Sequence, residues 1–563
     1  MKDFDQRIYY LFSIANYYGW TGNISKRGIV IELMKKISKS SPIKTQLMQK
    51  LYTAAGARGI ASQQECLNLV SEGLDIANKS GVHFLDHMII VQAVYLFIGI
   101  GDVNRAEEYL NKMAPMVNRS NALHVIQYDT LSGWLDHLHG NASLAIEKIE
   151  RSLVLSIKAH IPFSQGLCRL ALAQVFYDQG SYKEAEKHYI YGFRIAKGMK
   201  SKLLEFTSYY IQAYWLLSEK HSNTRETENK GLRILKKCMA LGKKYGMVNV
   251  YFAWGQKMAY LSLKALENNI EVHYVRHLIH KLELFPDTPP YACENWPWAF
   301  KIYTLGSFKI LHEDAPVELS KKAQLKPVEL LQFLIVNHDK AVELDHISGM
   351  LWPDAQGDYA HQTLDTTIHR LRKLLVSNDA VIAEGGRLML NPKTCWVDVQ
   401  AFGALFDSME GLLEKKNWIA HQVRNDGKKQ VNRQDEEDDQ VKDLGRRILN
   451  LYKGDFFAQG SLPSWAISFR DSLHDRFTHV IEMLGGYYEK SGDTVQAVRI
   501  YKKGLEIDNQ AELFYQRLML LYQSHGRTAE AAALYKHCEV ILSRTLGIEP
   551  SDKTKELYRS IKP

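Results

Sequence analysis

The sequence predicts a mainly α fold: a solenoid of helical repeats over 1–285, an α+β domain over 300–397 and a second all-α, repeat-like domain over 398–563. Three observations carry this. A Gly, a polar turn and an Ala at the sixth position recur in "GDVNRAEEYLNKM" at 101, "GNASLAIEKIERSL" at 140 and "GSYKEAEKHYIYGF" at 180, at intervals of 39 and 40 residues. A fixed period of this length signals stacked helical hairpins. A proline-dense break at 286–299 is then followed by a change of hydrophobic period from helical to twofold. Beyond the middle domain the repeat logic returns, with Gly492 and Gly526 spaced 34 residues apart.

In each repeat the Gly ends one helix, the polar residues open the next, and the small Ala lets the paired helices approach. A hairpin cannot bury its apolar face alone, so neighbours stack and leave a concave surface. Flanking stretches such as "SQQECLNLVSEGLDIANKSGV" and "RILKKCMALGKKYGM" fit further, degenerate units. "FPDTPPYACENWPW" holds Pro286, Pro289, Pro290 and Pro297 and reads as a linker, because prolines this dense cannot continue a helix.

After the linker, "KIYTLGSFKILHEDAPVEL" alternates apolar and polar residues around Gly306 and a His312–Asp314 turn, as short antiparallel strands do. "KPVELLQFLIVNH" and "LDHISGMLW", the latter stopped by Pro353, read as two helices. "HQTLDTTIHRLRKLL" (361–375) reads as a third, and "AVIAEGGRLMLNPKTCWVDV" as strands turning about Gly385 and Gly386. Sheet, three helices and hairpin in this order is a winged helix-turn-helix, whose third helix enters the major groove of DNA.

That third helix has two sides. Leu364, Ile368, Leu371 and Leu375 line one stripe, while Gln362, Thr366, His369, Arg370 and Lys373 fall opposite, with no carboxylate among them and Asp365 on a flank. An amide suits adenine, a guanidinium suits guanine O6 and N7, and the hydroxyls and methyls of Thr363 and Thr366 suit phosphate or thymine. Lys373 and His369 are expected at phosphates, and Arg372 either there or in a structural ion pair. The domain as a whole is not basic, with 11 Lys and Arg against 12 Asp and Glu over 300–397.

Composition bounds the rest. A chain of 563 residues divides into several domains, and 46% hydrophobic residues supply their cores. Six widely spaced cysteines with no C-x-x-C pair argue against a disulfide framework and a thiolate zinc site, and fit a reducing cytoplasm. The start has neither a signal-peptide pattern nor a membrane-spanning run. A net charge of +8 permits an anionic partner without requiring one.

The N-terminal units resemble tetratricopeptide repeats of the long variety found in bacterial regulators. "LGSFKI", "GMLWPDA", "LDTTIHRLRKLL" and "VDVQAF" resemble the OmpR/PhoB-type winged helix of the Streptomyces antibiotic regulatory proteins. "LYKGDFF", the Trp465 and Arg470 region, and the stretch from "GDTVQAV" to "SDKTKELY" are similar to the bacterial transcriptional activation domain that follows it in that family. The resemblance implies operator reading by helix 361–375 in tandem or dimeric form, activation through RNA polymerase, and an activation domain at 398–563. On this reading the DNA-binding residues are Gln362, Thr363, Thr366, His369, Arg370, Lys373 and, as the one basic wing residue, Arg387. An unknown protein or small-molecule effector is expected at the solenoid, where Tyr209, Tyr210, Tyr214 and Trp215 cluster; packing between repeats is the competing reading of those aromatics.

Catalysis is not expected. The sequence has no G-x-x-x-x-G-K-[ST] or G-x-G-x-x-G phosphate loop, no H-E-x-x-H and no G-x-S-x-G. The helical N-terminal half also leaves no place for a βα receiver domain with a phosphorylatable aspartate. No cofactor or metal is expected: "HYVRHLIH" places His273, His277 and His280 on one helical face, but an outward one, opposite Val275, Leu278, Ile279 and Leu282. The polar stretch 421–443 reads as a solvated, mobile insertion. The alternative function is a helical-repeat adaptor whose winged helix contacts protein only; a carboxylate-free reading face is what separates the two.

Overall fold

A computed structural model describes residues 4–39, 43–54, 63–83, 85–218, 224–248, 251–252, 255–318, 325–354, 357–422, 430–458 and 462–561. The chain forms two compact units, Met1–Pro297 and Trp298–Pro563.

The first unit is a run of antiparallel helix pairs: Phe4–Thr21 (α1) with Ile24–Ser38 (α2), Ile43–Ala54 (α3) with Gln63–Ser80 (α4), Asp86–Ile100 (α5) with Val103–Met113 (α6), and Ala122–Leu138 (α7) with Ala142–Lys158 (α8). Pro162–Asp178 (α9) with Tyr182–Gly198 (α10), Lys202–Leu217 (α11) with Arg225–Tyr245 (α12), and Gly255–Glu267 (α13) with Val272–Leu282 (α14) complete it. The repeat residues act as their chemistry requires. Gly101, Gly140 and Gly180 sit at φ of 84°, 84° and 80°, where a Cβ would be strained, and end α5, α7 and α9. Ala106, Ala145 and Ala185, five positions on, are fully buried where the helices meet.

The array curls back on itself. The Ser201 hydroxyl donates to the Trp20 carbonyl at 2.8 Å, tying α11 to the end of α1, and a Cβ on Gly255 would lie 3.1 Å from the Gly99 carbonyl oxygen near the end of α5. Its interior is partly filled by the chain itself. Three residues join α8 to α9 and α10 to α11, but nine separate α12 from α13. Phe252 of that connection is 1% exposed, its ring 4.7 Å from Trp134 and 6.0 Å from Tyr95, and the Tyr251 ring lies 4.9 Å from Tyr95. The aromatics at 209–215 are packing residues: Trp215 stacks on Tyr177 at 4.7 Å, Tyr214 meets Tyr260 edge-on at 6.0 Å, Tyr209 meets Phe193 at 5.6 Å, and Tyr210 is buried.

The second unit opens with strands Phe300–Tyr303 (β1), Lys309–His312 (β2) and Ala315–Pro316 (β3), the β2–β3 turn made by Glu313 and Asp314 at positive φ. Leu325–Val336 (α15), the short strand Val342–Glu343 (β4), Leu344–Leu351 (α16) and Gly357–Leu374 (α17) follow, then Val381–Glu384 (β5), Arg387–Leu390 (β6) and Cys395–Val397 (β7). β7 returns to pair in parallel with β1, giving the sheet order β3-β2-β1-β7, while β4-β6-β5 forms the hairpin sheet. This is the expected order of sheet, three helices and hairpin, with one further two-residue strand, β4, that sequence periodicity is too coarse to register.

Asp398–Gln422 (α18), Gln430–Leu451 (α19), Ser464–Lys490 (α20), Thr494–Ile507 (α21), Glu512–Ser524 (α22), Thr528–Leu546 (α23) and Asp552–Ile561 (α24) complete the unit. Gly492 and Gly526 adopt φ of 76° and 70°, and Ala497 and Ala531 behind them are fully buried, repeating the N-terminal device. The expected boundary at 397/398 is not a seam. Asp398 is 1% exposed, accepting from the Thr304 and Leu305 amides at 2.5 and 2.8 Å and from the Thr304 hydroxyl at 2.6 Å. Trp465 of α20 also meets Phe333 of α15 edge-on at 5.1 Å.

Two expectations change. The proline-dense stretch folds into turns, with Cys293 and Trp296 buried and Trp296 edge-on to Phe285 at 6.2 Å, because its aromatic residues supply apolar area that prolines alone lack. Of the expected mobile insertion at 421–443, residues 423–429 lie outside the described residues. From Gln430 the chain is helical, and Val441 and Ile448 give α19 a buried stripe.

Candidate nucleic-acid interface

α17 begins before the stretch its periodicity marked, at Gly357 rather than 361. Ala360, Leu364, Thr367, Ile368, Leu371 and Leu375 are buried, which orients the rest of the helix. At about 100° per residue, His369, Gln362, Lys373, Thr366, Tyr359, Arg370 and Thr363 then follow one another around an arc of about 120°. All are exposed except Thr363, which is half-buried. Asp365 is exposed just outside the arc. Tyr359, 68% exposed, is the one member that sequence reading missed. A helix start placed at 361 left it out, and the signal that would have found it is its spacing of three and seven residues from Gln362 and Thr366.

The structure refines the two threonines. Thr363 Oγ1 donates to the Tyr359 carbonyl at 2.7 Å and Thr366 Oγ1 to the Gln362 carbonyl at 3.0 Å. With their hydrogens turned onto their own helix, both present a methyl group and lone pairs outward, which suits the thymine methyl better than a phosphate oxygen.

Arg370 and Lys373 also line an open groove between the C-terminal half of α17, the end of β3 and the start of α15. His312 and Lys326 line it too, against Glu318 as its one carboxylate among the described residues. Arg372 is structural: its guanidinium donates to the Val381 carbonyl at 3.2 Å and anchors the base of the hairpin to α17, and among the described residues it forms no ion pair. At the hairpin tip Gly385 and Gly386 both take positive φ, 57° and 73°, as a two-residue primed turn requires. Arg387 is exposed beside it, but its register opposite Glu343 and Glu384 brings it 3.1 Å from the Glu343 carboxylate. Its charge is therefore locally balanced.

On the first unit, His273, His277 and His280 are exposed on α14, with Tyr274, Val275, Leu278 and Ile279 buried beneath and Leu282 only partly so. Among the described residues no three His, Cys, Asp or Glu side chains are grouped as a metal site, all six cysteines are buried and none forms a disulfide, and no helix is long and apolar enough to cross a membrane.

A three-helix core with a glycine-tipped hairpin, displaying a helix face without carboxylates and followed by further helices, has the element order of a winged helix-turn-helix. Residues 420–562 match the family model of the bacterial transcriptional activator domain, so the C-terminal part of the chain carries the module that its sequence resembles. Among solved structures, Mycobacterium tuberculosis EmbR in complex with a low affinity phosphopeptide is similar at 16% identity and a TM-score of 0.35. That match covers 47% of this chain and 65% of the EmbR chain. The tetratricopeptide-repeat domain of P58(IPK) is similar at 11% identity and a TM-score of 0.17, over 88% of this chain and 97% of that one. No curated protein matches the chain.

Proposed function

We propose that the protein is a sequence-specific DNA-binding regulator of transcription, an activator, that reads its operator with α17. The observation that carries this is the arc of seven polar or aromatic side chains on α17, none a carboxylate, in a chain whose residues 420–562 match an activator domain. Gln362, Tyr359, Thr366 and Arg370 meet base edges. His369, Lys373 and the groove beside them meet the phosphate backbone. Arg387 becomes available only if DNA draws it from Glu343. Double-stranded DNA is one partner, bound by a single copy or by a homodimer, and RNA polymerase is the other. The solenoid of the first unit supplies the surface for an effector, and the chain acts in the cytoplasm as a regulator rather than a catalyst.

Genomic pull-down of bound fragments supplies the operator, and gel-shift titration at two salt concentrations tests the reading. Arg370→Ala weakens operator binding by about 1 to 3 kcal/mol and relaxes preference at one base. Lys373→Ala weakens binding to all sequences and reduces the salt slope by about 1. Affinity unchanged in both variants would remove α17 as the reader and leave the winged helix as a protein-contact module.

A further inference from the structure

A second recognition surface lies in the C-terminal domain, on elements that neither read DNA nor form the wing. A groove of about 1120 Å³ runs between α19 and α21 along the edge of α20. Gly445 lets α19 close on α20, since a Cβ there would come within 2.6 Å of the Leu484 side chain. Leu449, Leu484 and Val498 give the groove an apolar floor, and Val495 at its rim is 77% exposed.

The walls are cationic. Lys442 and Lys453 stand on one side, Arg499 and Lys502 on the other, all exposed, and among the described residues none lies in an ion pair. Most carboxylates of the groove are already engaged. Asp443 pairs with Arg446 at 2.5 Å, Glu506 pairs with Lys503 at 2.6 Å, and Asp493 caps α21 by accepting from the Gln496 amide at 3.1 Å. With Asp439 also on its wall, the groove carries six Lys and Arg against four carboxylates, so what remains is an apolar strip flanked by an excess of positive charge.

We propose that this groove docks an acidic amphipathic helix of a partner protein. The apolar stripe of such a helix covers the Leu449, Val495 and Val498 strip, and carboxylates on its flanks meet Lys442 and Lys453 on one side and Arg499 and Lys502 on the other. A nucleic-acid backbone satisfies the cations but has no use for the apolar floor, and a neutral apolar helix leaves the cations unmatched. The inference rests on the reading of this domain as an activating module; its failure is separable from failure of the DNA reading, because operator binding by α17 is measured independently.

The test uses the full-length protein and a fluorescein-labelled synthetic helix of about eighteen residues, roughly five turns, with leucines at alternating three- and four-residue steps and glutamates on both flanks. Fluorescence anisotropy should show saturable binding that weakens as salt rises. Lys442→Glu combined with Arg499→Glu should weaken it at least about tenfold, Val495→Asp should do so independently, and Lys183→Glu on the first unit should leave it unchanged. All these positions are exposed, so thermal unfolding should match the parent protein. Equal binding of a matched peptide with lysines in place of the glutamates would overturn the proposal, as would unchanged affinity in the groove variants. Loss of operator binding in step with peptide binding would also overturn it, and would mark the groove as a nucleic-acid surface instead.

Discussion

His474 of α20 lies between two carboxylates, 3.1 Å from Asp455 and 3.3 Å from Asp508. The hydrogen bond to Asp455, then that to Asp508, pushes its pKa up to about 10, and both carboxyls are held below their usual range. A raised folded-state value means that the stabilisation is fully present below about pH 6.5 and is lost as pH rises toward 10. The acid limb belongs to Asp455 and Asp508, whose contribution falls away as pH drops below about 4. His474→Gln should lower stability by about 1 to 2 kcal/mol near pH 6, less than the raw shift implies because all three side chains are partly solvated. Urea denaturation at pH 6, 8 and 10 should show that deficit shrinking with pH; an equal deficit at every pH would assign the loss to packing. Asp398 behaves in the opposite way to Asp455 and Asp508. Burial pushes its pKa up to about 6 against the pull of its hydrogen bonds, so stability falls as pH rises from about 4 to 6. Asp398→Ala strands two buried amides and should cost about 2 to 4 kcal/mol by the same measurement.

At the scale of the element, α20 holds two adjacent glycines with opposite meanings. A Cβ on Gly485 would lie 2.2 Å from Tyr501 Cζ, and Tyr501 is fixed by burial and by donating its hydroxyl hydrogen to Glu489 at 2.6 Å. A Cβ on Gly486 meets nothing within 4 Å. Gly485→Ala should therefore destabilise by about 1 to 3 kcal/mol through forced separation of α20 and α21. Gly486→Ala should stabilise by about 0.5 to 1 kcal/mol, because alanine is the better helix former and no clash opposes it. Thermal denaturation of the two variants reads both signs, and a shift of the same sign in both would refute the packing account. Helix α17 shows the same division. Its buried stripe of Leu364, Ile368, Leu371 and Leu375 followed from spacing, whereas the inward turn of the Thr363 and Thr366 hydroxyls and the capture of Arg387 by Glu343 did not. Each of these depends on a side-chain rotamer or on a strand neighbour far away in sequence.

The whole molecule consists of two units with separate cores, and the second contains both the winged helix and the activator-domain segment. A fragment starting at Trp298 keeps every element of that core, including the Asp398 cluster and the Phe333–Trp465 contact. It should fold alone, bind the operator with the affinity of the full chain, and activate without the inducing condition if the solenoid is the sensor. Circular dichroism, gel shift and a reporter assay check these in turn. A fragment that folds and binds DNA but whose output still follows the inducing condition would place the sensor outside the first unit. Within that unit, Phe252 and Tyr251 already occupy part of the interior, so an effector either displaces them or binds elsewhere on the array.

The sequence by itself determined the features that recur with a local period: the Gly and Ala that cap and pair the hairpins, the change to a twofold period at the sheet, and the helix face with no carboxylate. Local periodicity records which side of an element is buried, and burial is what selects residues along that stripe. Tertiary structure alone decided what meets that side. It distinguished Gly485 from Gly486, extended α17 back to Gly357 and brought Tyr359 onto the carboxylate-free face. It also balanced the one basic wing residue against Glu343, turned 430–451 into a helix, and set Phe252 among aromatics more than a hundred residues earlier in the chain. Tyr359 and the two helix extensions lie within single elements, and the spacing of Tyr359 carried a signal. The contacts of Gly485, Arg387 and Phe252 join different elements and are fixed only when those elements pack together.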